Sequence, residues 1–168
     1  MTLNLNDSAS VSSLSGAVVV QIGTNGGNLL PVPLGNLAAS AVKSIVIHGG
    51  EEGNSIDLSG VHATDFTSLT SINVDGGNGN DSILGSNDFG DSLFGGDGAD
   101  TLDGPGGGNT LGDGDGADVI RGGANNDSIL GGDGADTFAG GSDADVIFGG
   151  DGDDSLNGQG ASDTIVGN

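Results

Sequence analysis

The chain of 168 residues has no cysteine, tryptophan or tyrosine, only five phenylalanines and three prolines, and just 2 Lys plus Arg. Without cysteine there is no disulfide, no thiolate metal site and no thiol nucleophile. With so few aromatic residues and an apolar content of 33%, the core of an ordinary globular enzyme is excluded. Lys43 and Arg121 cannot build the clustered basic surface that phosphate recognition needs, so neither nucleic acid nor an anionic membrane surface is expected as a partner. No apolar run approaches the roughly 20 residues of a spanning helix, so membrane insertion is not expected. The opening residues lack the basic region of a Sec signal. What is present is acid and glycine: 24 Asp plus Glu, a net charge of −22, and 37 Gly. Cations are the natural counterpart of such a chain.

Composition shifts along the chain. From Gly76 onward lie 28 of the 37 Gly and 18 of the 22 Asp. Ahead of that point, Thr2 to Asn6 and Ala17 to Ile22 read as strands, broken by the turn signal Thr24-Asn25-Gly26-Gly27-Asn28 and by Pro31 and Pro33. An Ala-rich stretch from Leu37 to Val42 predicts one helical turn. From Gly95 the sequence keeps a period of nine: GGDGADTLD, GPGGGNTLG, DGDGADVIR, GGANNDSIL, GGDGADTFA, GGSDADVIF, GGDGDDSLN, GQGASDTIV. Two earlier units, GGNGNDSIL and the ten-residue GSNDFGDSLF, extend the array back to Gly76. The sixth position holds Asp81, Asp91, Asp100, Asn109, Asp118, Asp127, Asp136, Asp145, Asp154 and Asp163. The eighth is always large and apolar, from Ile83 to Ile165. A fainter repeat aligns Ser44–Ile56 with Ser71–Ile83 at an offset of 27. It predicts a wider first coil with an excursion over Leu58 to Leu69 and Asn54 beneath Asp81.

Each unit divides into a Gly-rich turn and a three-residue strand whose middle side chain points inward. Two units then make one coil, and stacked coils make two facing parallel sheets: an all-β, right-handed parallel β-helix of the β-roll kind with an irregular N-terminal cap. The expected organisation is a strand and turn cap over 1–40, irregular first coils over 41–75, and over 76–168 a β-roll of ten repeats with a truncated eleventh. Stacking aligns Asp81, Asp100, Asp118, Asp136 and Asp154 along one edge, and Asp91, Asn109, Asp127, Asp145 and Asp163 along the other. Carboxylates one coil apart repel, and a hard divalent cation between coils relieves that repulsion. An all-oxygen site of carboxylates and turn carbonyls suits Ca²⁺ better than Mg²⁺, and zinc is disfavoured without cysteine. Pairing along the two columns gives an upper count of about eight ions. The sites touching Asn109 lose a carboxylate and are expected to be weaker. Pro105, the Phe89 insertion and Asp143 disturb others. Folding and Ca²⁺ binding are expected to be one event.

These units resemble the repeats-in-toxin (RTX) family, whose G-G-x-G-x-D-x-U-x unit is a Ca²⁺-binding β-helix repeat. The resemblance implies Ca²⁺ held by the sixth-position side chains and by turn carbonyls, here those of Gly77, Gly79, Gly96, Gly98, Gly114, Gly116, Gly123, Gly132, Gly134, Gly150 and Gly152. It implies a secreted or cell-surface bacterial protein, exported by type I secretion and folding outside the cell. Members carry a secretion signal after the repeats, and this chain stops at Asn168, so a piece of a longer protein is expected.

No enzyme is expected. H-E-x-x-H, G-x-S-x-G and phosphate-loop motifs are missing, and His48 with Glu51 and Glu52 aligns with Asp75, Asn78 and Gly79 as variant turn residues. His62 is expected at the surface or in packing. The expected function is a Ca²⁺-binding structural module. The alternative is an adhesin or surface-layer type module, with self-association through the open solenoid ends or a glycan or cell-surface ligand on the outward Ser/Thr ladders.

Overall fold

In the computed structural model, residues 39–167 are described throughout, preceded by the strand backbones Leu3–Leu5, Ser10–Leu14, Ala17–Gln21 and Leu29–Val32. The turn signal at 24–28 and Pro33 lie outside the described residues. The nine-residue period places one strand per unit, alternately on two sheets. Strands Ser55–Asp57, Ser82–Leu84, Thr101–Asp103, Val119–Gly123, Thr137–Gly141 and Ser155–Gln159 form a six-stranded parallel sheet. Facing it, a ten-stranded sheet runs through Ser44–Gly50, Ser71–Asn78, Asp91–Asp97, Thr110–Gly116, Ser128–Leu130, Val146–Phe148 and Thr164–Val166, again all parallel. The chain is therefore an all-β solenoid, and its register follows the repeat: Leu102 pairs with Ile83 and Ile120, and Leu111 with Leu93 and Ile129.

The same register makes the core a single file of apolar side chains. Ile83, Leu93, Leu102, Leu111, Ile120, Ile129, Phe138 and Ile147 are all buried. A strand's middle residue is covered by the facing sheet and by the rungs on either side. The expectation that every eighth position points into the core weakens in the last described coil, where Leu156 is partly buried and Ile165 is 44% exposed. No described rung lies beyond Ile165 to cover it.

The wide first coil has the predicted offset of 27, with Ser44 opposite Ser71 and Ile45 opposite Ile72. Its excursion does more than bulge outward, because Leu58, Val61, Phe66 and Leu69 return to join the core at the end of the file. There the six-stranded sheet stops at Ser55–Asp57 while the other sheet continues through Ala17–Gln21 to Ser10–Leu14. The last pairing is antiparallel, Val11 opposite Val20. Strands Ser10–Leu14 and Leu29–Val32 were not anticipated from sequence. Pro31 lies inside the latter, which among the described residues pairs with Leu3–Leu5 in a two-stranded sheet, an edge position that a proline tolerates. The predicted helical turn is a short 3₁₀ turn at Ala39–Ala41.

Outside the ten-stranded sheet, ninth-position residues form a ladder in which Phe94, Gly112, Leu130, Phe148 and Val166 are successive neighbours. Phe94, Leu130, Phe148 and Val166 are exposed. Gly112, without a side chain, leaves a notch between Phe94 and Leu130.

Candidate metal centre

The turns joining the two sheets carry the acid. Second-position Gly77, Gly96, Gly114, Gly123, Gly141 and Gly150, and fourth-position Gly79, Gly98, Gly116 and Gly152, have left-handed backbone. That conformation is costly for any residue with a Cβ. The turns also stack at backbone contact, so a Cβ on Gly114 would lie 2.8 Å from the carbonyl carbon of Gly96. Asn125, Asp143, Gln159 and Ala161 adopt the same left-handed backbone at second or fourth positions. The repeat geometry thus overrides side-chain preference there.

Each turn delivers its sixth-position side chain into one of two columns, and each column is built by one recurring hydrogen bond. The backbone N–H of a column residue donates to Oδ1 of the residue one coil later. On the first edge Asn54 donates to Asp81 at 2.5 Å, Asp81 to Asp100 at 2.7 Å, Asp100 to Asp118 at 2.6 Å, Asp118 to Asp136 at 2.9 Å and Asp136 to Asp154 at 3.1 Å. On the second edge Asp91 donates to Asn109 at 2.9 Å, Asn109 to Asp127 at 2.7 Å, Asp127 to Asp145 at 2.8 Å and Asp145 to Asp163 at 3.0 Å. The ten sequence-predicted residues therefore fall into the two expected columns, and Asn54 extends the first.

Only one oxygen of each carboxylate is used in this way. Oδ2 of Asp81, Asp100, Asp118, Asp127, Asp136 and Asp145 is buried with no hydrogen-bond partner. A buried, unsatisfied carboxylate oxygen is expensive, and a row of them is a donor set that fits a cation. First-position glycines make the room. A Cβ on Gly140 would lie 2.9 Å from the Gly158 carbonyl oxygen and closer still to Asp145 Oδ2. A Cβ on Gly76 would meet Asp81 Oδ2 and the Gly95 carbonyl oxygen. These two cradles thus bring together a free carboxylate oxygen and a carbonyl from the next coil, the all-oxygen set a hard cation takes. Gly140→Ala is expected to lower stability by roughly 1–3 kcal/mol at saturating Ca²⁺. Gly60→Ala, whose Cβ would meet nothing within 4 Å, is expected to be nearly neutral. Thermal unfolding of the two variants checks this, and equal losses would count against the cradle.

Asn109 shows where the carbonyls converge. Its Nδ2 donates to Gly104 O at 2.7 Å, Gly122 O at 3.1 Å and Gly107 O at 3.2 Å. The amide occupies the space its Asp counterparts leave open, and satisfies with N–H groups the carbonyls that elsewhere face a carboxylate oxygen. Those carbonyls belong to first and fourth positions. At Asp91 the insertion has a comparable effect: Ser86 N donates to Oδ2 at 2.6 Å and Ser86 Oγ to Oδ1 at 3.2 Å, so both oxygens are occupied.

Burial governs the charge of the columns. Desolvation pushes Asp91, Asp100 and Asp127 up to about 6, and raises Asp81, Asp118, Asp136 and Asp145 as well. Backbone hydrogen bonds work in the opposite direction, and the neighbouring carboxylates of each column add to the rise. Without a cation these groups are held towards the protonated form.

Sequence reasoning missed two features. First-position glycines such as Gly76, Gly95, Gly122, Gly140 and Gly158 read there only as turn formers. Asp113 was passed over, although it is the one first-position residue from Gly76 onward that is not glycine. It is 1% exposed, its Oδ2 has no partner, and it lies with Asp118 and Asp136 in a group whose ligand atoms are all within 4.8 Å of one another. Burial, with the charges of Asp136 and Asp118, pushes it up to about 7. The remaining candidates do not converge on the columns. His48 sits in a strand rather than a turn, with Nδ1 3.5 Å from Asp75 Oδ2, and Glu51 accepts from Asn78 Nδ2 at 2.9 Å. His62 lies half-exposed, its Nδ1 3.4 Å from Asp88 Oδ2.

A family model of the RTX calcium-binding nonapeptide repeat matches the chain in four copies, over residues 75–111, 105–138, 112–147 and 139–168. No curated protein and no solved structure gives a significant match.

Proposed function

Because the chain belongs to the RTX calcium-binding nonapeptide repeat family and is a calcium-binding β-roll module, we propose that Ca²⁺ neutralises its two carboxylate columns and that the array is structural rather than catalytic. The observation that carries this reading is the row of buried, unpartnered Oδ2 atoms, of which those of Asp81, Asp100, Asp127 and Asp145 share a glycine cradle with a turn carbonyl. Asp81, Asp100, Asp118, Asp127, Asp136 and Asp145 supply these oxygens, Asp154 and Asp163 continue the columns, and first- and fourth-position glycines supply carbonyls. Second-position glycines such as Gly77, Gly96, Gly132 and Gly150 let successive turns stack close enough for two coils to share an ion. Asn109, with its amide already in the cradle, holds no ion of its own, and Asp91 is self-satisfied through Ser86. The working number of ions is therefore below the eight that pairing alone allows.

The same chemistry supports a bacterial protein exported through a type I channel. A chain of charge −22 stays unfolded where Ca²⁺ is scarce and folds outside the cell where it is abundant. Residues 1–40 then act as the cap, and 41–75 as the irregular first coils on which the repeats stack. The exposed apolar ladder of Leu130, Phe148 and Val166, with Phe94 beyond the Gly112 notch, favours a second reading, an adhesive or self-assembling surface module, because an exposed apolar row on a sheet face marks an interaction surface.

Titration calorimetry tests the first reading. Several Ca²⁺ ions are expected to bind with a strand-forming change in circular dichroism, while Mg²⁺ at the same concentration gives neither. Absence of Ca²⁺ binding, or an equal response to Mg²⁺, would overturn it.

A further inference from the structure

The unit that begins at Asp113 departs from its neighbours in one atom group. Where the other first positions carry a glycine, this one inserts a carboxylate. Asp113 Oδ1 accepts from Gly114 N at 2.8 Å, and its Oδ2 is left unpartnered. Asp118 has its Oδ2 free in the same way, as does Asp136, whose Oδ1 takes the Asp118 N–H at 2.9 Å. Three residues, each 1% exposed and each with an unpaired Oδ2, therefore bring one carboxylate oxygen apiece within 4.8 Å of one another at one point of the first column. Neighbouring points of that column draw on two successive carboxylates. The notch at Gly112 has Phe94, Leu130 and Asp113 among its lining residues.

We propose that Asp113, Asp118 and Asp136 form a distinct three-carboxylate cation site, the tightest in the array and the last to release its ion. The inference rests on the Ca²⁺ reading of the columns and deepens it. Affinity at oxygen sites is tuned by the number of charged ligands and the rigidity of the site. Here the third charge is added to a scaffold already fixed by the column hydrogen bonds. Three carboxylates also tolerate a bound dication better than they tolerate one another, so the empty site is more strained than its neighbours.

Calorimetry of the full chain with chelator competition decides the matter. In the native chain one equivalent of Ca²⁺ is expected to bind about tenfold more tightly than the rest. Asp113→Gly, which restores the repeat, and Asp113→Asn, which keeps the size without the charge, should each merge that equivalent into the main phase. Asp115→Asn removes one exposed charge from the same turn and should leave the tight phase in place. Superimposable isotherms for the native chain and both Asp113 variants would overturn the proposal. So would a gain of one ion in Asp113→Gly, since Asp113 would then be blocking the cradle. Lack of any Ca²⁺ binding in every protein would instead strike the reading of the columns as a whole.

Discussion

Stripping the chain of Ca²⁺ with EGTA at about pH 7 is expected to abolish most of its strand signal in circular dichroism, and excess Ca²⁺ to restore it. The reason is how little else holds the array. Its core is a single file, one apolar residue per strand, from Ile83 to Ile147. The turns between strands are glycine-rich segments that lose more conformational freedom on folding than any other sequence would. Against that weak core stand buried carboxylates one coil apart, tied to the same backbone by the hydrogen bonds from Asp81, Asp100 and Asp118 N–H groups. Ionising them without a counter-ion places like charges in surroundings too dry to screen them. Dissolving the stack is the only way to rehydrate them all. A strand spectrum that persists in EGTA would show that packing and backbone pairing suffice.

Acid should then do part of the work of calcium. A Ca²⁺-stripped chain taken from about pH 7 down to about pH 4 is expected to regain strand signal, although acid weakens most proteins. The unfolded Asp titrates near 3.8, whereas in the folded array Asp91, Asp100 and Asp127 titrate at about 6 and Asp113 at about 7. Between those values the folded state binds more protons than the unfolded one, so its stability falls as pH rises. The protonated contribution is complete below about 3.8 and is lost as pH climbs through 6 and 7. Calcium-loaded protein should show the reverse trend in affinity, since protons and ions compete for the same oxygens. A pH titration of the stripped chain by circular dichroism gives the answer; a signal that stays flat or declines on acidification would refute the argument.

The period of nine was enough to place the strands, the core file and both carboxylate columns, because in a solenoid a residue's position in the repeat is its position in space. Ser44 opposite Ser71 and Asn54 donating to Asp81 follow from nothing more than the offset of 27. Other features depended on contacts that periodicity does not encode. A first-position glycine looks like a flexible turn residue in sequence, yet Gly140 and Gly76 matter for the missing Cβ that leaves space beside a carboxylate. Asn109 reads as a lost ligand until its amide is seen bonded to three carbonyls. Leu58, Val61, Phe66 and Leu69 fall outside the register, and only the return of the chain onto the end of the core file shows what they do. Asp113 was visible as an exception to the glycine rule. Its depth beside Asp118 and Asp136 was not.

The column hydrogen bonds run one way, and this gives the stack a polarity. Every donor belongs to an earlier coil and every accepting oxygen to a later one, from Asn54 and Asp81 through to Asp145 and Asp163. The N–H of a sixth-position residue is therefore answered by the column residue of the following coil, while the seventh-position N–H beside it donates back, as Thr101 does to Asp81 O and Val119 to Asp100 O. Cutting coils away from the carboxyl-terminal side strips carboxylate acceptors from sixth-position N–H groups, whereas cutting from the amino-terminal side strips backbone carbonyls from seventh-position N–H groups such as those of Thr101 and Val119. Orphaned buried N–H groups are a rare and poorly tolerated defect. In a chain emerging amino-terminus first, the column N–H of each coil stays unanswered until the next coil has followed it.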